Sequence, residues 1–277
     1  MPPTVSHALI AAQVKAALDE DVGTGDLTAL LVPPRTARAM LSTREDGVLC
    51  GSEWFDEVFT QIDADTRVVW QAQDGDRIRA GAALCEIQGP ARAILTGERT
   101  AINFLQTLSG TATLARRYAD AVAHTRARVL DTRKTLPGLR LAQKYAVRCG
   151  GCTNHRMGLY DGVLIKENHI AAAGSIVAAL TQATELAAGR MVEIAVETLA
   201  QLEEALAAGA PRVLLDNFTL SDLRAAVAQT AGRALLEASG GITLANVGDY
   251  AETGVDFLSV GELTKSVRAL DLSLRFS

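Results

Sequence analysis

From Arg128 onward, short apolar runs alternate with helical stretches. The runs are "RVLDT" from Arg128, "GVLIK" from Gly162, "MVEIAV" from Met191, "RVLLD" from Arg212, "ALLEAS" from Ala234 and "DFLSV" from Asp256. Between them lie "GLRLAQKYAVRCG", "SIVAALTQATELA", "LAQLEEALAAG", "LSDLRAAVAQTAG" and "TLANVGDYAETG", which read as helices. Strand, helix, strand in this order means a parallel sheet with right-handed crossovers. Six such units fall short of the eight of a complete barrel. The pattern therefore allows an open doubly wound sheet or an incomplete barrel. No glycine-rich dinucleotide fingerprint follows the first run, which counts against a nucleotide-cofactor sheet.

The first hundred or so residues mix elements irregularly. "SHALIAAQVKAALDED" reads as an amphipathic helix with Ser6 as its N-cap. "ARAMLSTREDGVLCG", "TRVVWQAQ" and "ALCEIQG" read as strands, with "DGDRIRAG" as a turn-rich connection. A long helical pattern runs from Thr96 to about Ala123, with an expected interruption at Ser109–Thr111.

Composition bounds the function classes. A chain of 277 residues is too long for one small core. A net charge of -5 with few aromatics makes a poor nucleic-acid binder. No apolar run approaches the roughly 20 residues that cross a bilayer. "MPPTVSHALI" lacks the basic start and apolar core of a signal peptide. Cys50, Cys85, Cys149 and Cys152 are then expected to be reduced thiols in a cytoplasmic protein.

In parallel α/β architectures the chemistry lies at the carboxyl ends of the strands. There the first run delivers Asp131, Thr132, Arg133 and Lys134, and the second Lys166 and Glu167. The third gives Glu193 and Glu197 flanking Ala195, and the fourth Asp216 and Asn217. The fifth gives Glu237, Ser239, Gly240 and Gly241, and the sixth Ser259, Val260 and Gly261. Cations at the early strands call for an anion. The "SGG" and "SVG" turns offer backbone N–H groups to a phosphate, because glycine allows close approach. Asp216 suits ribose hydroxyls or a hard Mg2+ ion. Residues 131–169 hold seven Lys/Arg against three Asp/Glu, a local +4 in an acidic chain. Arg140, Lys144 and Arg148, spaced four apart, read as a solvated helix face or a subunit contact. Arg133, Lys134, His155, Arg156 and Lys166 lie in turns or at strand ends and are the candidates for ligand binding.

"GERTAINFLQTLSGTAT", "DTRKTLPGLRLAQKYAVRCGG", "NHRMGLYDGVLIKENHI", "LLDN", "EASGGIT" and "SVGELTKSVRALDLSLRF" together resemble the quinolinate phosphoribosyltransferase family, the decarboxylating enzymes of NAD synthesis. The resemblance runs from "DEDVGTGDLT" to the C-terminus. It implies an N-terminal α/β sandwich domain over residues 1–110, with the tail 266–277 packing on it, and an incomplete six-stranded α/β barrel over 111–265. It implies a homodimer with shared active sites, or a hexamer, and substrates quinolinate and 5-phosphoribosyl 1-diphosphate with Mg2+. Thr132, Arg133, His155, Arg156 and Lys166 would hold the quinolinate carboxylates, with Arg99 reaching in from the other subunit. Lys134, Glu197, Asp216, Ser239, Gly240, Gly241, Ser259, Val260 and Gly261 would hold the phosphoribosyl donor. Lys134, Lys166 and Asp216 would be catalytic, and Asp216 would meet the metal directly or through water. Neither nucleic acid nor membrane is an expected partner.

Two positions depart from the family pattern. The third barrel strand carries Glu-x-Glu-x-Glu in the family but Glu193, Ala195 and Glu197 here. A rise of about 3.3 Å per residue puts either remaining carboxylate about 6–7 Å from the missing one. This loss raises the alternative of a weakened or altered-specificity paralogue that binds pyridine carboxylates or phosphoribosyl ligands. A related transferase for another pyridine carboxylate is a second alternative. "CGGCTNHR" gives a Cys149, Cys152, His155 spacing, a weak zinc signal because structural zinc wants four ligands.

Overall fold

The computed structural model describes residues 5–277. The chain divides into two compact units. One takes the residues up to Arg116 with Thr135–Gly151 and Thr264–Ser277; the other takes Arg117–Lys134 and Cys152–Leu263. Residues 135–151, which the sequence places in the barrel, thus cluster with the first unit.

The first unit opens with α1 (His7–Asp21). Ser6 stands at its N-cap with extended backbone, but its side chain makes no capping bond. Then come β1 (Thr36–Thr43), β2 (Gly47–Val48), α2 (Ser52–Ile62), β3 (Arg67–Trp70), β4 (Arg77–Ile78), β5 (Ala83–Pro90) and α3 (Ala91–Ala121). The main sheet is antiparallel in the order β12-β1-β5-β3, where β12 (Leu272–Phe276) is the last strand of the chain. β1 alternates as a one-sided strand must: Ala39, Leu41 and Thr43 face inward. The expected single strand through "ARAMLSTREDGVLCG" breaks at Arg44–Asp46, and "DGDRIRAG" contributes β4, which pairs with β2. α2 was not anticipated. Trp54, Phe55, Val58 and Phe59 fill its inner face. Phe55 meets Phe59 and Trp70 edge-on at 5.2 and 5.3 Å, and Trp54 donates to Gln13 on α1 at 2.7 Å.

α3 is continuous for 31 residues, so the interruption expected at Ser109–Thr111 is absent. The small residues there serve close approach. A Cβ on Gly110 would stand 2.0 Å from the Arg268 carbonyl oxygen. Ser109 Oγ accepts from the Cys50 N–H at 2.9 Å and donates to the Cys50 carbonyl at 3.1 Å. α4 (Arg140–Cys149) is buried almost all round, and Lys144 is only 1% exposed. The solvated face expected for Arg140, Lys144 and Arg148 therefore survives only at Arg148 and part of Arg140.

The second unit contains β6 (Arg128–Leu130), β7 (Gly162–Ile165), β8 (Met191–Val196), β9 (Arg212–Asp216), β10 (Leu235–Ser239) and β11 (Phe257–Ser259). Between or after them run α5 (Glu167–Ala173), α6 (Ile176–Ala187), α7 (Leu199–Ala207), α8 (Leu220–Thr230), α9 (Val247–Ala251) and α10 (Glu262–Lys265). Ser175, Thr198 and Thr219 cap α6, α7 and α8, each accepting a backbone N–H in its first turn. The sheet order is β6-β11-β10-β9-β8-β7, and every pair is parallel. β6 and β7 are its edges. Residues from the carboxyl ends of all six strands line one cavity, so the sheet curls around it as an incomplete barrel. No single helix among the described residues is long and apolar enough to cross a membrane.

Candidate active site

The cavity at the strand ends has a volume of about 200 Å³. Thr132, Arg133 and Lys134 enter from β6, Lys166 and Glu167 from β7, and Ala195 from β8. Asp216, Ser239 and Ser259 enter from β9, β10 and β11, and His155 and Arg156 from the segment after Cys152.

That segment is held in place by β6. Thr153 bridges to Leu130 in parallel register, its N–H donating to the Val129 carbonyl at 2.9 Å. Asp131 is fully buried and accepts from the His155 N–H at 2.8 Å and from Asn154 Nδ2 at 2.6 Å. The buried aspartate thus fixes where His155 and Arg156 emerge. Arg156 donates from Nη1 to the Gly162 carbonyl at 2.9 Å, which aims the guanidinium. Burial lowers its pKa, and the neighbouring Arg133 charge lowers it further. Two guanidiniums that line one cavity and feel each other's charge make a site for an anion.

Below the cavity lies a charged layer. Arg212 donates from Nε to Glu193 at 2.9 Å and from Nη2 to Glu237, and stacks 4.2 Å over the Phe257 ring. Ser259 Oγ donates to Glu237. His155 Nδ1 accepts the Arg156 N–H at 2.7 Å, so Nε2 carries the proton and donates to Glu193 at 2.8 Å; Glu237 is 3.6 Å away. Both glutamates are fully buried. Burial, then the Glu193 charge, pushes Glu237 up to about 7. Burial raises Glu193 too, against the pull of Arg212. Burial works against the Arg212 charge, but Glu237 and Glu193 outweigh it and raise its pKa.

This layer corrects the sequence reading at several points. Glu193 and Glu237 belong to the barrel interior rather than to its rim. His155 has both ring nitrogens engaged by protein groups, Nδ1 by the Arg156 N–H and Nε2 by Glu193, so neither is turned toward a substrate carboxylate. Arg212 went unremarked, although a charge inside each of three apolar runs was the available signal of a buried ion network. The Val260 N–H donates to the Leu130 carbonyl at 2.9 Å and Val260 is buried, so it offers nothing to a phosphate. Glu197 is exposed and does not line the cavity, whereas Arg99, expected to serve the other subunit, is exposed on α3.

The other turn residues sit at the strand ends. Gly240 (φ 106°) needs its missing Cβ, which would fall 2.1 Å from Asn217 Oδ1; Gly241 is also left-handed at φ 62°. Gly261 lies against the Lys134 stem, where a Cβ would meet Cδ at 3.2 Å. The zinc spacing dissolves. Cys149 clusters with Cys50 and Asp74, whereas His155 clusters with Glu193 and Glu237.

Comparison with known proteins places the chain in a family. Residues 26–109 match the family described as quinolinate phosphoribosyl transferase, N-terminal domain, and residues 111–275 match its C-terminal domain. A nicotinate-nucleotide pyrophosphorylase (carboxylating) of Mycobacterium leprae is 45% identical over 271 residues, covering 94% of this chain and 95% of that protein. A probable one of Bacillus subtilis is 43% identical over 258 residues, covering 92% and 89%. The solved nicotinate-nucleotide pyrophosphorylase of Francisella tularensis superposes with a TM-score of 0.97 at 45% identity, covering 99% and 98% of the two chains. With both domains matched and the cationic cavity at the barrel mouth, the chain belongs to the quinolinate phosphoribosyl transferase family.

Proposed function

We infer that the chain transfers the phosphoribosyl group of 5-phosphoribosyl 1-diphosphate to quinolinate with loss of CO2. The products are nicotinate mononucleotide, CO2 and diphosphate, a step of NAD biosynthesis. The observation that carries this reading is that Arg133, Arg156 and Lys166 line one cavity, with Arg133 near enough to Arg156 to lower its pKa. Two guanidiniums and an ammonium suit a dicarboxylate better than a monocarboxylate. Lys134, Asp216, Ser239 and Ser259, from the adjoining strand ends, take the phosphoribosyl donor, with Gly240 and Gly241 as its phosphate turn. The pyridine nitrogen attacks the ribose carbon as diphosphate leaves. Holding both anions in one dry cavity supplies much of the rate. The direct test is an assay of CO2 release from quinolinate with the diphosphate donor and Mg2+; no release would overturn the reading.

The donor set fits Mg2+ of the usual kind. Such an ion takes one or two carboxylates, several waters and the substrate's phosphates, and Asp216 is a half-buried carboxylate at the cavity wall. Bound there, the ion would neutralise the leaving diphosphate.

Ala195 lines the same wall, in register with Leu214. Ala195→Glu is expected to raise kcat/KM for the donor about tenfold, by stabilising positive charge on the ribose ring. The gain falls short of the usual 10²–10³ for such a group, because Asp216 already supplies a carboxylate. Quinolinate affinity should stay within about twofold. An unchanged rate in a folded variant would show that the substitution is silent.

Arg99 serves the partner subunit's site in this reading. It is exposed on α3, and Leu27, Leu30 and Leu31 form an apolar group left 83, 64 and 83% exposed, a surface that a second copy would cover. Mixing Arg99→Ala with Lys134→Ala subunits is expected to regenerate activity, since each hybrid dimer holds one intact site. Inactive hybrids, with subunit exchange verified by native mass spectrometry, would rule out sharing.

A further inference from the structure

Decarboxylation leaves an electron pair on a ring carbon, and that carbon must receive a proton to give the product. We propose that the proton comes from Glu237, the carboxyl group that shares the Arg212 guanidinium with Glu193 at the floor of the cavity. The inference rests on the cavity being the quinolinate site.

Of the two buried glutamates, only Glu237 also lines the cavity, together with His155 and Ser259 from the same layer. The groups facing it can be named strand by strand. β8 presents Glu193, β9 presents Arg212, β11 presents the Ser259 hydroxyl, and the segment after β6 presents His155. β7 adds only Leu164 to the cavity before Lys166 at its end. The two carboxyls share a single guanidinium, so ionising both leaves one of the pair without an arginine charge of its own. Two buried carboxyls side by side do not both ionise readily. The pair therefore keeps one proton, and burial favours Glu237, the member that lines the cavity, as its holder. His155 is the weaker candidate, because its Nε2 proton is committed to Glu193.

The step balances without an added reagent. The bond between ring carbon and carboxylate breaks, and CO2 leaves. The pair left on carbon takes the Glu237 proton. The new Glu237 carboxylate is met by Arg212 and by the Ser259 hydroxyl, both already in place. Water restores the proton after the product departs.

The experiment is a single turnover in which diphosphate and CO2 are timed separately. In the wild type the two should appear at similar rates. Glu237→Gln should still bind quinolinate and release diphosphate, but release CO2 at least tenfold more slowly. General-acid groups are typically worth about 10²–10⁴. Glu237→Asp should recover part of the loss. Equal slowing of both products, or of neither, would overturn the proposal. Should Glu237→Gln fail to fold, the wild type decides: its CO2 rate relative to diphosphate should fall as pH rises from 6 to 9, and a flat ratio would overturn it. Failure of the wild type to bind quinolinate at all would instead refute the reading of the cavity.

Discussion

Arg156→Ala and Arg133→Ala are each expected to weaken quinolinate binding about 10²–10³-fold, with donor affinity changed less than about fivefold. Removing one member of a desolvated charged contact costs about 2–5 kcal/mol, an interval that brackets this loss. Part of the cost is geometric. Arg156 is aimed by the Gly162 carbonyl, and its neighbour Arg133 lowers its pKa. A dicarboxylate relieves that repulsion, so the wild-type site gains more from the ligand than a lone guanidinium would. Lysine at either position should restore charge without the bidentate fork, and recover only part of the affinity. Calorimetric titration with each substrate separately is the measurement. Equal losses for the two substrates would remove these arginines from the carboxylate site.

Arg212→Ala is expected to cost about 3–5 kcal/mol of folding stability, the usual loss when one partner of a buried ion pair is removed. It leaves two fully buried glutamates beside each other. The loss should depend on pH. Glu237 is raised from an ordinary 4.5 to about 7 on folding. A group raised in this way contributes stability that is fully present below its unfolded pKa and is lost as pH rises through the folded one. Stability from this group therefore declines between about pH 4.5 and 7 even in the wild type. In the variant, with Arg212 gone, the decline should be steeper. Urea unfolding at pH 5 and pH 8 tests it, and a variant equally unstable at both would be inconsistent with charged burial.

The six barrel strands were legible because strands buried on both faces read as continuous apolar runs. The residues at their carboxyl ends followed from that register, so Arg133, Lys134, Lys166 and Asp216 could be placed on one rim. Less local facts were hidden. α2 was readable in the spacing of Trp54, Phe55, Val58 and Phe59, yet its start depends on Asp74, which accepts the Gly51 and Ser52 N–H groups at 2.9 and 3.2 Å. Small residues at Ser109–Thr111 suggest a break to local reasoning, whereas their cause is the Arg268 main chain far along the sequence. Lys144 looked solvent-facing by charge alone. The imidazole of His155 could not be given its tautomer before Glu193 and the Arg156 N–H were seen around it.

The pairing of β12 with β1 affects how the protein is made. Residues 39–43 gain their second set of partners only when residues 272–276 arrive, far later in the chain. Throughout synthesis β1 is bonded on one side, by β5, while its other edge stays open. An open edge is a template for another chain. Chains truncated before residue 272 should therefore be sticky at β1.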